Sequence, residues 1–424
     1  VAGCVDRLTE HGREAMDGAV LREADELASR GYRVLGLACR LDFPSQDAAQ
    51  ADLEGRWTFL GFVGLIDPPR PGVLDAIRQC RDAGIVPVMI TGDHPATAVA
   101  IAGELGIPCG ASQALTGKEL RALSAAELQE RVEDVHVYAR VDPEQKIRIV
   151  KALQAKGHFV AMTGDGVNDA PALKAATIGV AMGQRGTEVA REAAEVVLLD
   201  DSFETIVAAV GEGRRIYDDI RKFIRYTMTS NSGEIWVLVL APLLGLPLPL
   251  LPLHILWINL VTDGLPGLAL SAEPAERDVM RRKPRPPEER IFSQGMVMHI
   301  LFVGLLIGGL TLATQAWTWH RGHEEWQTMV FTVLVVSQLF NCLAIRSEHD
   351  SIFRIGFASN PALLLALAIT IVAQLAVIYV PAFGAVFRTV PLSAAQLGAC
   401  FAIGSLVFVV IEAEKWVRSR RENG

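Results

Sequence analysis

Six long apolar stretches fill the second half of the chain, at roughly Tyr226–Gly245, Leu253–Ala272, Met296–Trp317, Thr328–Ile345, Pro361–Val380 and Ala394–Ile411. Each is near the length of about 20 residues that a helix needs to cross a bilayer, so we read six transmembrane helices. Gly264 and Pro266 interrupt the second, and Gly308–Gly309 the third. Basic residues cluster before the first helix (Arg214, Arg215, Arg221, Lys222, Arg225) and between the second and third (Arg277, Arg281, Arg282, Lys283, Arg285, Arg290). They recur after the fourth (Arg346, Arg354) and at the end (Lys415, Arg418, Arg420, Arg421), and all four places are expected to face the cytoplasm.

The first half reads differently. Strand-like runs at Phe59–Ile66, Val86–Ile90, His136–Ala139, Phe159–Met162, Ile178–Met182 and Val196–Leu199 alternate with helical patterns such as Arg70–Ala83, Pro95–Leu105 and Pro143–Lys156. This alternation predicts an α/β fold with a doubly wound parallel sheet covered by helices on both faces. Ligands of such sheets sit beyond the carboxyl ends of the strands. Three candidate segments lie there: TGDH at Thr91–His94, ARVDPEQK with Lys146 in the first turn of a helix, and Asp165–Asp169.

The last belongs to TGDGVNDAPAL, Thr163–Leu173, which puts two carboxylates and an amide on one tight turn. Hard oxygen ligands suit Mg²⁺, Gly164 and Gly166 let the backbone come close, and Pro171 suits the first turn of a helix. Asp165 and Asp169 lead the list of site residues.

Together with DPPR at Asp67–Arg70, MITGDH, ARVDPEQK and NLVTDGLP at Asn259–Pro266, this segment resembles the P-type ATPases, closest to the type II calcium pumps. The resemblance covers nearly the whole chain. It implies a haloacid-dehalogenase-like phosphorylation domain at 59–225, preceded by the tail of a nucleotide-binding domain at 1–58 and followed by a transmembrane cation-transport domain at 226–424. It implies Mg²⁺ as cofactor and ATP as substrate. Asp165 would be a Mg²⁺ ligand and Asp169 would orient it, while Lys146 would neutralise the transferring phosphoryl group and Thr91 would donate to it. Gly92, Asp93, Arg140 and Asn168 would line the nucleotide, and Arg33, in GYRVLGLACR at Gly31–Arg40, would contact its phosphates. Without the resemblance, Arg33 reads equally well as an exposed strand residue, and Arg140 and Asp93 as a surface ion pair. Phosphoryl transfer needs positioning and charge stabilisation above all, which fits this set.

The family phosphorylates an Asp in a DKTGT segment and hydrolyses the product with a TGE loop, and neither string occurs here. A carboxylate nucleophile divides one hard step into two, so this chain alone is expected to be inactive, with the amino-terminal part as a possible separate partner.

The apolar spans carry Asn231 and Glu234 in TSNSGEI, and Asn259, Thr262 and Asp263 in NLVTDG. Ionisable groups in hydrocarbon are costly and mark ion paths. Their oxygens suit a hard cation such as Ca²⁺, and Gly264 with Pro266 would loosen the helix beside Asp263. The asparagines and Thr262 could also serve as interhelical hydrogen-bonding groups. In the resemblance these five match calcium-binding positions, and Gln338 stands where the two-site pumps carry a Glu. One Ca²⁺ per cycle follows, with Mn²⁺ as a second substrate.

Half of the 424 residues are hydrophobic and the formal charge is −8, which suits an acidic cytosolic domain on a membrane bundle and invites no nucleic-acid reading. Six cysteines without CxxC spacing argue against a copper or zinc pump. A bacterial-type plasma membrane is expected. A helical connector at Ser202–Tyr226, bent at Gly211 and Gly213, would link the two halves, and His94, His158, His254 and His299 carry no assigned role. The alternatives are a pump for Na⁺, K⁺ or H⁺, and a nonenzymatic truncated membrane protein.

Overall fold

A computed structural model describes residues 2–4, 18–39, 58–66, 68–110, 113–286, 289–293, 295–347 and 350–422. Expectations that fall on 5–17, 40–57 and Asp67 lie outside the described residues. The chain divides into two compact units, Val1–Val210 with Met280–Pro287, and Gly211–Val279 with Glu288–Gly424.

The first unit opens with β1 (Ala2–Cys4), helix α1 (Gly18–Ser29), β2 (Arg33–Cys39) and β3 (Thr58–Leu65). β3 was expected in the parallel sheet, but it runs antiparallel to β2, with Arg33 opposite Leu65 and Cys39 opposite Thr58. An apolar run reads alike in both pairings; coverage decides between them. Parallel strands are covered on both faces, whereas β3 leaves Leu60 and Leu65 exposed.

The other five expected strands are parallel. After α2 (Val73–Asp82) come β4 (Met89–Thr91), α3 (Pro95–Glu104), β5 (Ala114–Thr116) and β6 (Val137–Ala139), in the sheet order β4-β6-β5. Then α4 (Pro143–Ala155), β7 (Ala161–Gly164), α5 (Ala170–Ala175), β8 (Ile178–Met182) and β9 (Val196–Leu198) give the order β7-β8-β9. The three-residue β5 escaped the sequence reading. α4 packs on both sheets: Ile149 and Ala152 join a core with Leu115 and Tyr138, while Val150 joins Met162, Leu173 and Ala181. Ile90 of β4 touches both cores, so the end strands β4 and β7 lie on either side of one apolar seam. Arg70 of the DPPR motif donates to the Asp201 carbonyl at 2.6 Å, and the Asp201 carboxylate accepts from the Gln184 and Arg185 amides.

Helix α6 (Phe203–Leu243) spans 41 residues, and Gly211 and Gly213 do not interrupt it. A helical glycine costs about 1 kcal/mol relative to alanine, which a helix of this length tolerates. Then come α7 (Pro252–Trp257), a π turn at Ile258–Thr262, α8 (Gly264–Leu270), α9 (Met296–His320), α10 (Trp326–Ala344), α11 (Pro361–Tyr379) and α12 (Ala394–Glu422). Among the described residues, five helical stretches are long and apolar enough to cross a membrane, beginning with Pro252–Leu270. The sixth expected span is the second half of α6, where Thr227, Thr229, Ser230, Asn231, Ser232 and Glu234 make it less apolar than the rest. Gly308–Gly309 do not break α9.

α10 is the centre of the bundle, with 83% of its apolar window buried against 22–39% for the other four. α6 and α9 approach through small residues. A Cβ on Gly304 would sit 2.3 Å from the Ser232 hydroxyl, and one on Gly308 2.8 Å from Trp236 Cβ. Glycines four apart form a groove in which van der Waals contact between helices accumulates. Gly304→Val is therefore expected to lower stability by about 1–3 kcal/mol through overpacking, read as a lower melting midpoint in detergent. Gly309→Val, where nothing lies within 4 Å of the added carbon, leaves the midpoint unchanged; equal midpoints would contradict the contact.

Candidate functional site

In the first unit, the segments after β4, β6 and β7 lie at the carboxyl ends of parallel strands. α4 begins with Pro143 at its first turn, and the Gln145 side chain accepts from the Asp142 amide at 3.0 Å. This start directs Lys146 so that its Nζ lies 2.6 Å from Asp169 Oδ1, with the two side chains 17% and 10% exposed. The other Asp169 oxygen accepts from the Gly166 amide at 3.1 Å and the Asp165 amide at 3.3 Å. A Cβ on Gly164 would come within 2.5 Å of Asp169 Cβ, so this turn requires glycine.

Asp165 is exposed, and its carboxylate makes no hydrogen bond or ion pair among the described residues. A free carboxylate beside the paired Lys146 and Asp169 fits a hard divalent cation such as Mg²⁺. The Thr91 hydroxyl donates to Asp93 Oδ2 at 3.1 Å and accepts from the Asp93 amide at 3.1 Å, so these two pair with each other. Gly92 is exposed, with open space where a Cβ would be. Arg140 has a φ of 55°, and Gly117 lies under its carbonyl, where a Cβ would come within 2.1 Å. Asn168 is exposed in the short turn Val167–Asp169, and Arg33 is exposed on β2. No hydrogen bond or ion pair among the described residues joins Arg33 to Lys146 or Asp169.

The second unit gathers polar groups around the π turn. The Asp263 amide donates five residues back, to the Ile258 carbonyl at 2.9 Å. Such turns widen a helix and recur at functional sites. Pro266 has no N–H, which deprives the Thr262 carbonyl of its helical donor, and the Tyr226 hydroxyl takes that carbonyl at 2.7 Å. Both Asp263 carboxylate oxygens, the Thr262 and Ser230 hydroxyls and Gln338 Oε1 are buried without a hydrogen bond. Ser230 and Tyr226 are the polar neighbours of that carboxylate, but neither hydroxyl meets it in bonding geometry. Gln338 Nε2 donates to Glu234 Oε1 at 3.1 Å. Asn259 is exposed; its amide donates to the Ile255 carbonyl at 3.0 Å and lies beside the Glu234 carboxylate. Asn231 is half-buried with no hydrogen bond to this cluster among the described residues.

Sequence reasoning missed Tyr226, Ser230 and Cys342, all close to Asp263. Pro266 was a signal for the first, because the carbonyl it releases needs a donor. Two histidines left without a role have structural ones. His94 accepts from the Ala96 amide at the start of α3, and His254 is buried against Phe331, bonded to the Phe387 carbonyl at 2.7 Å.

Residues 247–417 match the cation transporting ATPase C-terminus, and residues 5–177 match the haloacid dehalogenase-like hydrolases. The chain is 49% identical to a calcium-transporting ATPase of Bacillus subtilis, over 91% of the chain and 43% of that protein. It is 42% identical to a probable cation-transporting ATPase F of Mycobacterium tuberculosis, over 97% of the chain and 47% of the relative. Identity to the calcium-transporting ATPase type 2C member 1 of Bos taurus is 41%, over 95% and 41%. The chain spans less than half the length of each relative.

Removing one member of a partly buried ion pair strands the other. Lys146→Met is expected to cost about 1–3 kcal/mol of unfolding free energy in the first unit, and adding Asp169→Asn recovers much of it. Denaturant melts of the single and double variants measure this; additive losses would show that the two side chains are independent.

Proposed function

Because the chain belongs to the P-type cation-transporting ATPases, and is an integral multi-pass membrane protein, we propose that it forms the carboxyl-terminal part of an ATP-driven pump for Ca²⁺, with Mn²⁺ as a second substrate. The observation that carries this reading is Asp263. Its two oxygens are buried without a hydrogen bond, beside the unbonded Thr262 hydroxyl. A buried carboxylate left in this state is strongly unfavourable unless a cation or proton compensates it. Glu234, Asn259, Thr262, Asp263 and Gln338, with Asn231 one turn from Glu234, supply the oxygens that a hard cation prefers. The neutral Gln338 leaves two carboxylates at the site, which favours one divalent ion per cycle.

In the first unit, Asp165 would hold Mg²⁺, and Asp169 would fix the turn and receive Lys146. Bound there, Mg²⁺ supplies charge neutralisation for phosphoryl oxygens. Lys146 would balance charge on the phosphoryl group in transfer, and the Thr91 hydroxyl, redirected from Asp93, would donate to it. Gly92, Asp93, Arg140, Asn168 and Arg33 would line the nucleotide. The nucleophilic Asp lies outside this chain. That β4 and β7 are both end strands flanking the seam at Ile90 is compatible with a further strand pairing there.

The full-length pump is expected to form a phosphoenzyme from ATP that Ca²⁺ stimulates and Asp263→Asn abolishes. Phosphorylation driven equally well by a monovalent cation, with no effect of Ca²⁺, would reject the calcium assignment.

A further inference from the structure

Arg346 counted in the sequence as a basic flank of a membrane helix, yet its side chain is fully buried. Its Nε lies 3.1 and 3.2 Å from the two Glu273 oxygens, and Nη2 lies 2.7 Å from Oε1. The remaining donors are also used: Nη1 reaches the Gly356 and Phe357 carbonyls at 3.2 and 3.0 Å, and Nη2 the Ser359 hydroxyl. Glu273 is 4% exposed. It also accepts from Asn360 Nδ2 at 2.8 Å, and its backbone carbonyl accepts from Arg215 at 2.9 Å. Asn360 donates as well to the Ala269 carbonyl at 3.1 Å and caps α11 through the Leu363 amide at 2.9 Å. One buried network therefore joins α6, the end of α8, the end of α10 and the start of α11.

The same elements carry the cation groups. Glu234 is on α6, Asp263 precedes α8, and Gln338 is on α10. α8 has only seven residues, follows a π turn and contains Pro266, so its own backbone bonding fixes its position weakly. We propose that the Glu273–Arg346 pair is a positioning device for the cation site, setting where α8 and Asp263 stand against α10 and Gln338. The planar guanidinium suits this role, since bidentate pairing fixes angle as well as distance. The inference rests on the reading of Asp263 as a cation ligand.

The test is a Ca²⁺ titration of phosphoenzyme formation in the full-length pump, recording half-saturation and maximal level separately. Arg346→Gln is expected to raise the half-saturating Ca²⁺ by about tenfold, within the range by which supporting residues tune coupling, with a much smaller loss in maximal level per folded pump. Arg346→Lys, which keeps the charge and loses the fork, gives a smaller rise and is the variant to measure if Arg346→Gln does not fold. Arg354→Gln, at an exposed pair with Asp350, leaves half-saturation unchanged. A Lys variant with unaltered half-saturation and only a lowered melting point would overturn the positioning role. If the unmodified pump showed no Ca²⁺ dependence at all, the cation assignment would fail instead.

Discussion

Two carboxylates buried among apolar helices impose the strictest constraint on this molecule. Glu234 is partnered by a neutral amide, and Asp263 is left without a bond to either oxygen. Taking a carboxylate out of water without compensation is strongly unfavourable, so the surrounding structure must hold it there and a proton or a cation must compensate it. The π turn and the proline after it leave α8 weakly fixed by its own backbone bonds, and the buried ion network at its end offsets that weakness. The first unit shows the complementary arrangement. There the carboxylate of Asp169 is neutralised by Lys146 and by backbone amides, and Asp165 next to it stays free.

Much of this was legible in the residues. A turn rich in glycine and aspartate after an apolar run placed Asp165 and Asp169 at a strand end, and the reading of ARVDPEQK as the first turn of a helix after a strand placed Lys146 at another. Acidic residues within apolar spans pointed to Glu234 and Asp263 by cost alone. What escaped depended on through-space partners. The antiparallel pairing of β3 turns on which face is covered, and apolar content alone does not record that. Arg346 reads as a membrane-flanking charge because sequence shows its neighbours along the chain and hides Glu273 and Asn360. Gly308–Gly309 read as a break, whereas the helix runs through them, and the missing side chain of Gly308, with that of Gly304, is what lets α9 meet α6.

The same distinction explains the nucleotide set. Thr91 and Asp93 sit at the expected strand end but bond to each other, and Arg33 stands on a separate antiparallel sheet. Lys146 and Asp169, by contrast, are in direct contact. The charge-neutralising pair is set in the fold, whereas Thr91 and Asp93 satisfy each other.

Pumping as proposed requires an energetic link between the Lys146–Asp169 site and the buried carboxylates, and linkage requires such coupling to be reciprocal. The direct measurement is equilibrium binding of radioactive Ca²⁺ to the full-length protein, with and without Mg²⁺ and beryllium fluoride as a phosphate mimic. The mimic is predicted to change Ca²⁺ affinity by about tenfold or more, and Ca²⁺ to change the affinity for the mimic by the same factor. Identical Ca²⁺ binding in both conditions would contradict the account.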